Sequence, residues 1–249
     1  MQGGEPFYFP GNRTGCLLVH GFTATPQEMH ALGEHLAREG FGVLGVRLFG
    51  HATDIRDMLR ARWTDWLASV EGGYNLLRGS TDRVIIMGLS LGGALALLFA
   101  AYTPVAGVVA MSTPYALRAD PRLRLARLLG GIVRFVPKGP PDYRDPQAAI
   151  DRRDYKAYPV PAVEQLEAAL AELRTALPRV TAPLLLIHSE EDDFVTPDNA
   201  VSIYQRVGSS DKARVLVKNS NHVITLDAAR HQVFEAAAAF AIRVGAAPT

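Results

Sequence analysis

The chain has 249 residues, 48% of them hydrophobic, and a formal net charge of +1. This length predicts one globular α/β domain with a small insertion that buries roughly 70–75% of its unfolded surface. The near-zero charge gives no reason to expect nucleic acid as a partner. The single cysteine, Cys16, excludes an intrachain disulfide, and residues 1–6 lack the basic and apolar regions of a signal peptide, so a cytoplasmic location is expected.

Strand and helix patterns alternate along the chain, which predicts a mainly parallel sheet with helices on both faces. The predicted strands are apolar throughout, as is typical of a sheet covered on both sides. Residues 84–117 carry no charge, but glycines, a serine and a proline interrupt them and favour buried elements over a membrane span. In chain order the predicted elements are strand 15–19, helix 26–39, strand 41–48, helix 63–77, strand 83–87, helix 94–101, strand 105–111, helix 161–177, strand 184–188, helix 198–207, strand 213–217 and a final helix from 223 or 227.

The most informative motif lies between a predicted strand and helix, where a β-branched run ends in Gly88-Leu89-Ser90-Leu91-Gly92. This context is typical of the G-x-S-x-G nucleophile elbow, whose strained turn lifts the serine hydroxyl clear of the sheet. Small residues two positions either side of the serine meet the steric demand of that turn. The following helix N-terminus favours developing negative charge. The sequence therefore predicts Ser90 as a nucleophile.

A serine nucleophile requires a base, and in this architecture the chain order is serine, acid, histidine. Of the seven histidines, only His222 and His231 come late enough to follow an acid placed after a late strand. His222 lies in a polar loop after strand 213–217, where a catalytic base belongs. Because His231 lies within the predicted final helix, we assign the base to His222.

The acid is expected after strand 184–188, where four carboxylates occur in a row: Glu190, Glu191, Asp192 and Asp193. One of them would hold the imidazole in the right tautomer and stabilise the imidazolium. Two other interpretations are an acidic loop that caps the next helix and a weak cation site, although the spacing is not that of an EF-hand. We favour Asp192, with Asp193 as the alternative, because spacing alone does not separate the two.

The oxyanion hole requires two backbone N–H donors, one of them from the residue after the nucleophile, which is Leu91 here. The second is expected after the first predicted strand, where His20-Gly21-Phe22 lets the backbone bend close to a substrate oxygen. We assign this second donor to the amide of Phe22, whose ring would lie at the pocket wall, and expect His20 to brace the loop. This chemistry requires no metal and no organic cofactor.

Five segments, taken together and in order, resemble the α/β-hydrolase superfamily, and within it the small bacterial carboxylesterases and monoacylglycerol lipases. They are His20-Gly21-Phe22-Thr23, Gly50-His51, Gly88-Leu89-Ser90-Leu91-Gly92-Gly93, Asp192-x-x-Val195-x-Pro197-Asp198 and Asn221-His222-Val223-Ile224-Thr225-Leu226-Asp227. The similarity extends from Phe7 to about Ile242. In that group a valine and a proline follow the acid by three and five positions, which supports Asp192 over Asp193.

Between residues 111 and 183 the alternation of strands and helices breaks, and the chain departs most from the resemblance between about Tyr115 and Pro159. We predict a helical cap insertion, residues 114–177, on a core formed by 1–113 and 178–249. A cap would supply the acyl pocket and exclude water, whereas the alternative is a solvated helical excursion. Its basic amphipathic stretch, residues 122–129, is also compatible with weak adsorption to an anionic lipid surface.

The resemblance implies a serine carboxylesterase that hydrolyses short- to medium-chain acyl esters through an acyl-enzyme, with monoacylglycerol lipase as the alternative. Ester is preferred over amide on the resemblance alone. The same three side chains serve perhydrolysis, C–C bond hydrolysis and aminopeptidases, and a non-catalytic ligand-binding module on the same fold is a more remote alternative. The expected partner is a small acyl ester or a monoacylglycerol, without nucleic acid or an integral membrane segment.

Overall fold

A seven-stranded sheet forms the centre of the molecule in the computed structural model, which describes residues 1, 3–128, 132–140 and 142–246. The strand order is β1-β3-β2-β4-β5-β8-β9; β1 pairs antiparallel with β3, and all the other pairs are parallel. The predicted mainly parallel α/β architecture is therefore confirmed. The strands are β1 Phe7–Phe9, β2 Thr14–Val19, β3 Gly42–Val46, β4 Arg83–Leu89, β5 Gly107–Met111, β8 Leu184–Ser189 and β9 Lys212–Val217.

Helices cover both faces of this sheet because successive residues of a parallel strand point to opposite sides. Leu17 and Val19 of β2 belong to a core cluster shared with α2, α3 and α6, whereas Cys16 and Leu18 belong to a second cluster shared with α1 and α8. Cys16 is buried, and burial raises the pKa of its thiol. The helices are α1 Gln27–Arg38, α2 Trp63–Arg78, α3 Leu91–Ala100, α4 Pro121–Leu128, α5 Pro146–Asp151, α6 Val160–Ala176, α7 Asp198–Arg206 and α8 Arg230–Gly245.

The prediction that every strand is apolar and covered on both faces is wrong for β9. This strand lies at the edge of the sheet, and its Leu216 side chain is 50% exposed. An edge strand has one neighbour and less helix cover, so more of its residues face water; Ala213 and Arg214 are exposed as well. The final helix also begins later than expected, at Arg230, because residues 223–229 form turns instead. Strand β1 and helix α5 were not predicted, since three and six residues carry little periodic signal.

The segment between β5 and β8 contains α4, α5, α6 and a small antiparallel sheet of β6 Phe135–Pro137 and β7 Ala157–Pro159. Helix α6 packs into the same core cluster as α3, through Leu166 and Leu170. Of the basic stretch 122–129, Leu129 and the side chains of Arg124, Arg127 and Leu128 lie outside the described residues. No helix in the described ranges is both long enough and apolar enough to cross a membrane.

Candidate active site

Ser90 occupies a strained turn between β4 and α3, at the carboxyl edge of the sheet. Its backbone has φ 55° and ψ −118°, a conformation that costs a residue with a side chain on the order of 1–3 kcal/mol. The backbone N–H of Ser90 donates to the carbonyl of Met111 at 2.8 Å, which ties the turn to β5. A Cβ on Gly88 would overlap the backbone of Gly92, and one on Gly92 would overlap the carbonyl of Val19. The turn therefore requires glycine at both flanking positions.

Replacing Gly92 with alanine is expected to destabilise the fold by about 3 kcal/mol, because the new methyl group meets backbone that no rotamer change can move. The matched control is Gly72→Ala in α2, where a Cβ meets nothing within 4 Å. That change is expected to stabilise the protein by about 1 kcal/mol through helix propensity. Urea unfolding monitored by circular dichroism measures both. Equal midpoints for the two variants would contradict the steric account of the elbow.

His222 connects Ser90 to Asp192. Its Nε2 lies 2.9 Å from Ser90 Oγ, and its Nδ1 lies 2.8 Å from Asp192 Oδ2. An ionised carboxylate only accepts hydrogen bonds, so Nδ1 carries the proton and Nε2 is left to accept from the serine hydroxyl. The structure thus brings together the three side chains that the sequence singled out. His231 instead lies exposed on α8, with its ring against Phe234.

The loop that carries His222 is held by a buried carboxylate, Asp227. One oxygen of Asp227 accepts the backbone N–H groups of Arg144, Asp145 and Ala228, and the other accepts that of Asn221, each at 2.8 Å. These four backbone donors satisfy the hydrogen-bonding capacity of the buried carboxylate. They also join the segment before α5 to the loop of the histidine, so the position of His222 depends on contacts between distant parts of the chain.

Asp192 is the carboxylate of the acidic loop that reaches His222, and it is only 2% exposed. Its Oδ1 accepts the backbone N–H groups of Val195 at 2.8 Å and Phe194 at 3.1 Å, and His188 Nε2 lies 3.4 Å from Oδ2. Burial would raise the pKa of Asp192, but the nearby His222 and these hydrogen bonds outweigh it and lower that pKa. Asp192 therefore stays ionised.

Asp193 points elsewhere and contacts Asn221, whose Nδ2 donates to its carboxylate at 3.2 Å. The geometry therefore distinguishes the two candidates for the acid, since Asp192 faces the imidazole of His222 and Asp193 does not. The weak cation site considered for this loop gains no support. In the described part of the chain, no group of three or more His, Cys, Asp and Glu side chains is arranged to hold a metal ion.

The two expected oxyanion donors, Phe22 and Leu91, belong to segments that adjoin Ser90. Leu91 is the first residue of α3, so its N–H has no partner within the helix. Gly21 lies against the nucleophile, because a Cβ built on it would be 3.4 Å from Ser90 Cβ, and Phe22 follows it directly. His20 accepts from Leu48 N at 3.2 Å and donates to Gly21 O at 2.9 Å, which is the bracing role expected for it. Burial lowers the pKa of His20 to about 4 and keeps it neutral.

A cavity of about 520 Å³ lies in front of Ser90 and His222. Much of its wall is apolar, but one part is polar and includes several buried or half-buried charged and hydroxyl groups. The apolar wall includes Phe22, Leu117, Leu123, Leu166, Phe194 and Val223, and the polar wall includes Glu28, Lys138, Tyr143 and Arg152. The Phe22 ring stacks on Tyr158 at a centroid distance of 6.4 Å. The cavity is therefore amphiphilic.

Sequence reasoning missed the polar wall. Lys138 and Arg152 both bind the buried carboxylate of Asp154, at 2.6 Å and 2.9 Å. Burial lowers the pKa of Lys138 to about 8, although Asp154 opposes the shift. Nothing in the spacing of these residues brings them together, because they are joined only by the fold of the insertion. Glu28 could have been noticed as an acidic residue four positions before Leu32, on the apolar face of α1.

The sheet topology and the order of these side chains at its carboxyl edge define an α/β-hydrolase, a hydrolase in which a serine, an acid and a histidine follow one another along the chain. A sequence model of the family described as "Serine aminopeptidase, S33" matches residues 11–229. The chain belongs to this family.

Two relatives in sequence and one similar solved structure are named as esterases or lipolytic enzymes. The thermostable monoacylglycerol lipase of Bacillus sp. (strain H-257) is 36% identical over 238 residues, which cover 94% of this chain and 93% of that protein. The carboxylesterase of Bacillus subtilis (strain 168) is 25% identical over 234 residues, 93% of each chain. A structure of the metagenome-derived lipolytic enzymes LipS and LipT superimposes with a TM-score of 0.92 at 33% identity, covering 98% of this chain and 99% of its own.

Proposed function

We propose that the protein is a serine carboxylic ester hydrolase that works through an acyl-enzyme on Ser90. The observation that carries this proposal is the continuous hydrogen-bonded path from Ser90 Oγ through His222 to the buried Asp192. Fold alone does not imply activity, but this arrangement supplies a nucleophile, its base and the group that orients the base. The names of the relatives, lipases and an esterase, favour esters over the amides that the family description mentions.

In the acylation half of this mechanism, Ser90 Oγ attacks the ester carbonyl carbon while His222 Nε2 takes the hydroxyl proton. The carbonyl electron pair moves to oxygen, and the amides of Phe22 and Leu91 stabilise the resulting oxyanion. Collapse of the tetrahedral intermediate expels the alcohol, which takes its proton from His222. Asp192 holds the imidazole and stabilises its charged form without taking the proton.

In the deacylation half, a water molecule replaces the alcohol. His222 takes one proton from this water, whose oxygen attacks the acyl-enzyme carbonyl, and the same two amides stabilise the second oxyanion. Expulsion of Ser90, reprotonated by His222, releases the carboxylic acid and restores the enzyme. His222 is therefore the base in both halves of the reaction.

We further propose that the substrates carry short- to medium-length acyl chains. The support is the apolar part of the cavity beside Ser90, which suits an acyl chain, together with the relative named carboxylesterase. The second candidate is a monoacylglycerol lipase. It is favoured by the amphiphilic cavity, where the apolar wall suits an acyl chain and the polar wall of Lys138, Tyr143 and Arg152 suits hydroxyl groups. It is also favoured by the monoacylglycerol lipase that is 36% identical to this chain.

A series of ester substrates tests both candidates. Initial rates are measured on p-nitrophenyl esters and on 1-monoacylglycerols with the same acyl chains, with an aminoacyl arylamide as the amide control. An optimum at short or medium chains supports the esterase, and monoacylglycerol rates that equal or exceed those of simple esters favour the lipase. Turnover of the arylamide alone would overturn both. A fluorophosphonate probe that fails to label Ser90 would exclude the acyl-enzyme mechanism.

We also propose that the enzyme is cytoplasmic. Within it, residues 114–177 act as a cap over this cavity, on a core formed by residues 1–113 and 178–249. Leu117, Leu123 and Lys138 of this segment line the cavity, which supports a role in shaping the pocket. The exposed surface of the segment includes Leu125 and Ile132, which are 59% and 85% exposed. Exposed apolar groups beside a basic stretch support the weak contact with anionic lipid that the sequence suggested.

A further inference from the structure

Glu28 is a buried carboxyl group beside the nucleophile to which the proposed mechanism gives no role. It lies in the first turn of α1 and is only 5% exposed. It lines the same cavity as Ser90 and His222. An acidic side chain is rarely buried this far unless a specific partner compensates for the lost hydration.

The partner of Glu28 is the loop that supplies the proposed oxyanion donor. Glu28 Oε1 accepts the backbone N–H of Gly21. A Cβ built on Gly21 would lie 2.9 Å from Glu28 Oε1 and 3.4 Å from Ser90 Cβ, so the carboxyl group, the glycine and the nucleophile pack directly together. The peptide group that follows Gly21 carries the N–H of Phe22.

We infer that Glu28 is a positioning residue for the oxyanion hole: its hydrogen bond to Gly21 N, together with the bond from His20 Nδ1 to Gly21 O, fixes the orientation of the next peptide group and aims the Phe22 amide at the substrate oxygen. This inference rests on the proposed ester hydrolysis. Oxyanion donors act by being held in place before the reaction, so a loop free to rotate would lose part of their effect. The adjacent Thr23 has φ 62°, which shows that this loop adopts a conformation that must be imposed on it.

The role requires an acceptor atom and not a negative charge. Burial raises the pKa of Glu28 to about 7, against the opposing influence of Gly21 N, Arg152 and His222, while Asp154 adds to the rise. Lys138 and Tyr143, which line the same cavity, also interact electrostatically with Glu28. A protonated carboxyl group still accepts through its carbonyl oxygen. A glutamine in place of Glu28 is expected to preserve this role, because its side-chain oxygen can accept a hydrogen bond from the same amide.

Three variants test the inference. Glu28→Leu fills the space without an acceptor, Glu28→Gln keeps the acceptor, and Gln27→Leu makes the same kind of change at the exposed neighbouring position of α1. The expected result is a fall in kcat of about 100-fold for Glu28→Leu, the size of effect seen when one oxyanion donor is lost. We expect KM to change by less than about threefold, because the interaction acts in the transition state. Glu28→Gln and Gln27→Leu are expected to retain wild-type kcat within about threefold.

A trifluoromethyl ketone provides a second readout, because its adduct with Ser90 places an oxyanion in the same hole. Its Ki is expected to rise about 100-fold in Glu28→Leu and to stay unchanged in Glu28→Gln. If Glu28→Leu does not fold, as judged by circular dichroism, Glu28→Ala is measured in its place. Wild-type kcat in the variant that lacks the acceptor, a loss confined to KM, or an equal loss in Glu28→Gln would each overturn the inference. An inactive wild-type protein would overturn the proposed function along with it.

Discussion

Replacing Ser90 with alanine is expected to lower kcat for ester hydrolysis by about a million-fold, the loss that follows removal of a triad nucleophile. The variant keeps the oxyanion donors and the cavity, but it has no oxygen to form an acyl-enzyme. Only the rate enhancement that the oxyanion hole and substrate binding provide over the reaction in water therefore remains. The measurement is single-turnover hydrolysis of the best substrate of the chain-length series. The fold is expected to persist, because within the described ranges the Ser90 hydroxyl hydrogen-bonds only to His222.

The matched control for this variant is Ser112→Ala. Ser112 resembles Ser90 in several respects: it lies at the end of the neighbouring strand β5, it has a positive φ of 43°, and it is buried. Its hydroxyl has no hydrogen-bond partner in the part of the chain that the structure describes. Ser112→Ala is expected to keep full activity and to be labelled by a fluorophosphonate. Equal rates for the two alanine variants would rule out Ser90 as the nucleophile.

Replacing Asp192 with asparagine is expected to lower kcat by about 10,000-fold, because an amide can donate to His222 Nδ1 and so stabilise the wrong tautomer. In that tautomer Nε2 carries the proton and cannot accept from Ser90. The neighbouring variant Asp193→Asn is the control, and it is expected to stay within a few-fold of wild type, since Asp193 contacts Asn221 and not the imidazole.

The pH dependence of the two variants provides a further check. In Asp192→Asn, His222 cannot accept the proton of Ser90, and hydroxide can remove that proton instead. The residual activity of this variant is therefore expected to rise steeply with pH, whereas Asp193→Asn keeps the wild-type profile. A large loss in Asp193→Asn with little loss in Asp192→Asn would reverse the assignment. Similar losses in both would indicate that the geometry of the whole acidic loop, which His188 and Val195 help to hold, matters more than either carboxylate.

The positions of Ser90 and His222 could be located from the sequence because the signals for them are local. The elbow requires small residues at fixed positions within five consecutive residues. In the structure, backbone atoms occupy the space that a Cβ atom on Gly88 or Gly92 would need. His222 follows β9, and the carboxyl ends of parallel strands meet at one edge of the sheet. Chain order and strand polarity are therefore sufficient to bring a late loop to an early nucleophile.

Other features had no local signal. The burial of a carboxylate depends on what packs over it, so the run of four acids could not by itself show that Asp192 points inward and Asp193 outward. Lys138, Arg152 and Asp154 form one cluster only because the chain between residues 138 and 154 folds back on itself. Strands of three residues, such as β1 and β6, form because a partner strand is already in place, and no periodicity is visible in so short a segment.

The amino-acid sequence by itself determined the alternation of elements, the strained turn at Ser90 and the order of Ser90, the acidic loop and His222, because each depends on residue type at short range or on the direction of the chain. The tertiary structure alone decided which carboxylate faces His222, how Asp227 holds that loop, and that Glu28 packs against Gly21. The physical reason is desolvation: a charged group changes its role when it is buried against a particular partner, and burial is set by residues far away in the chain.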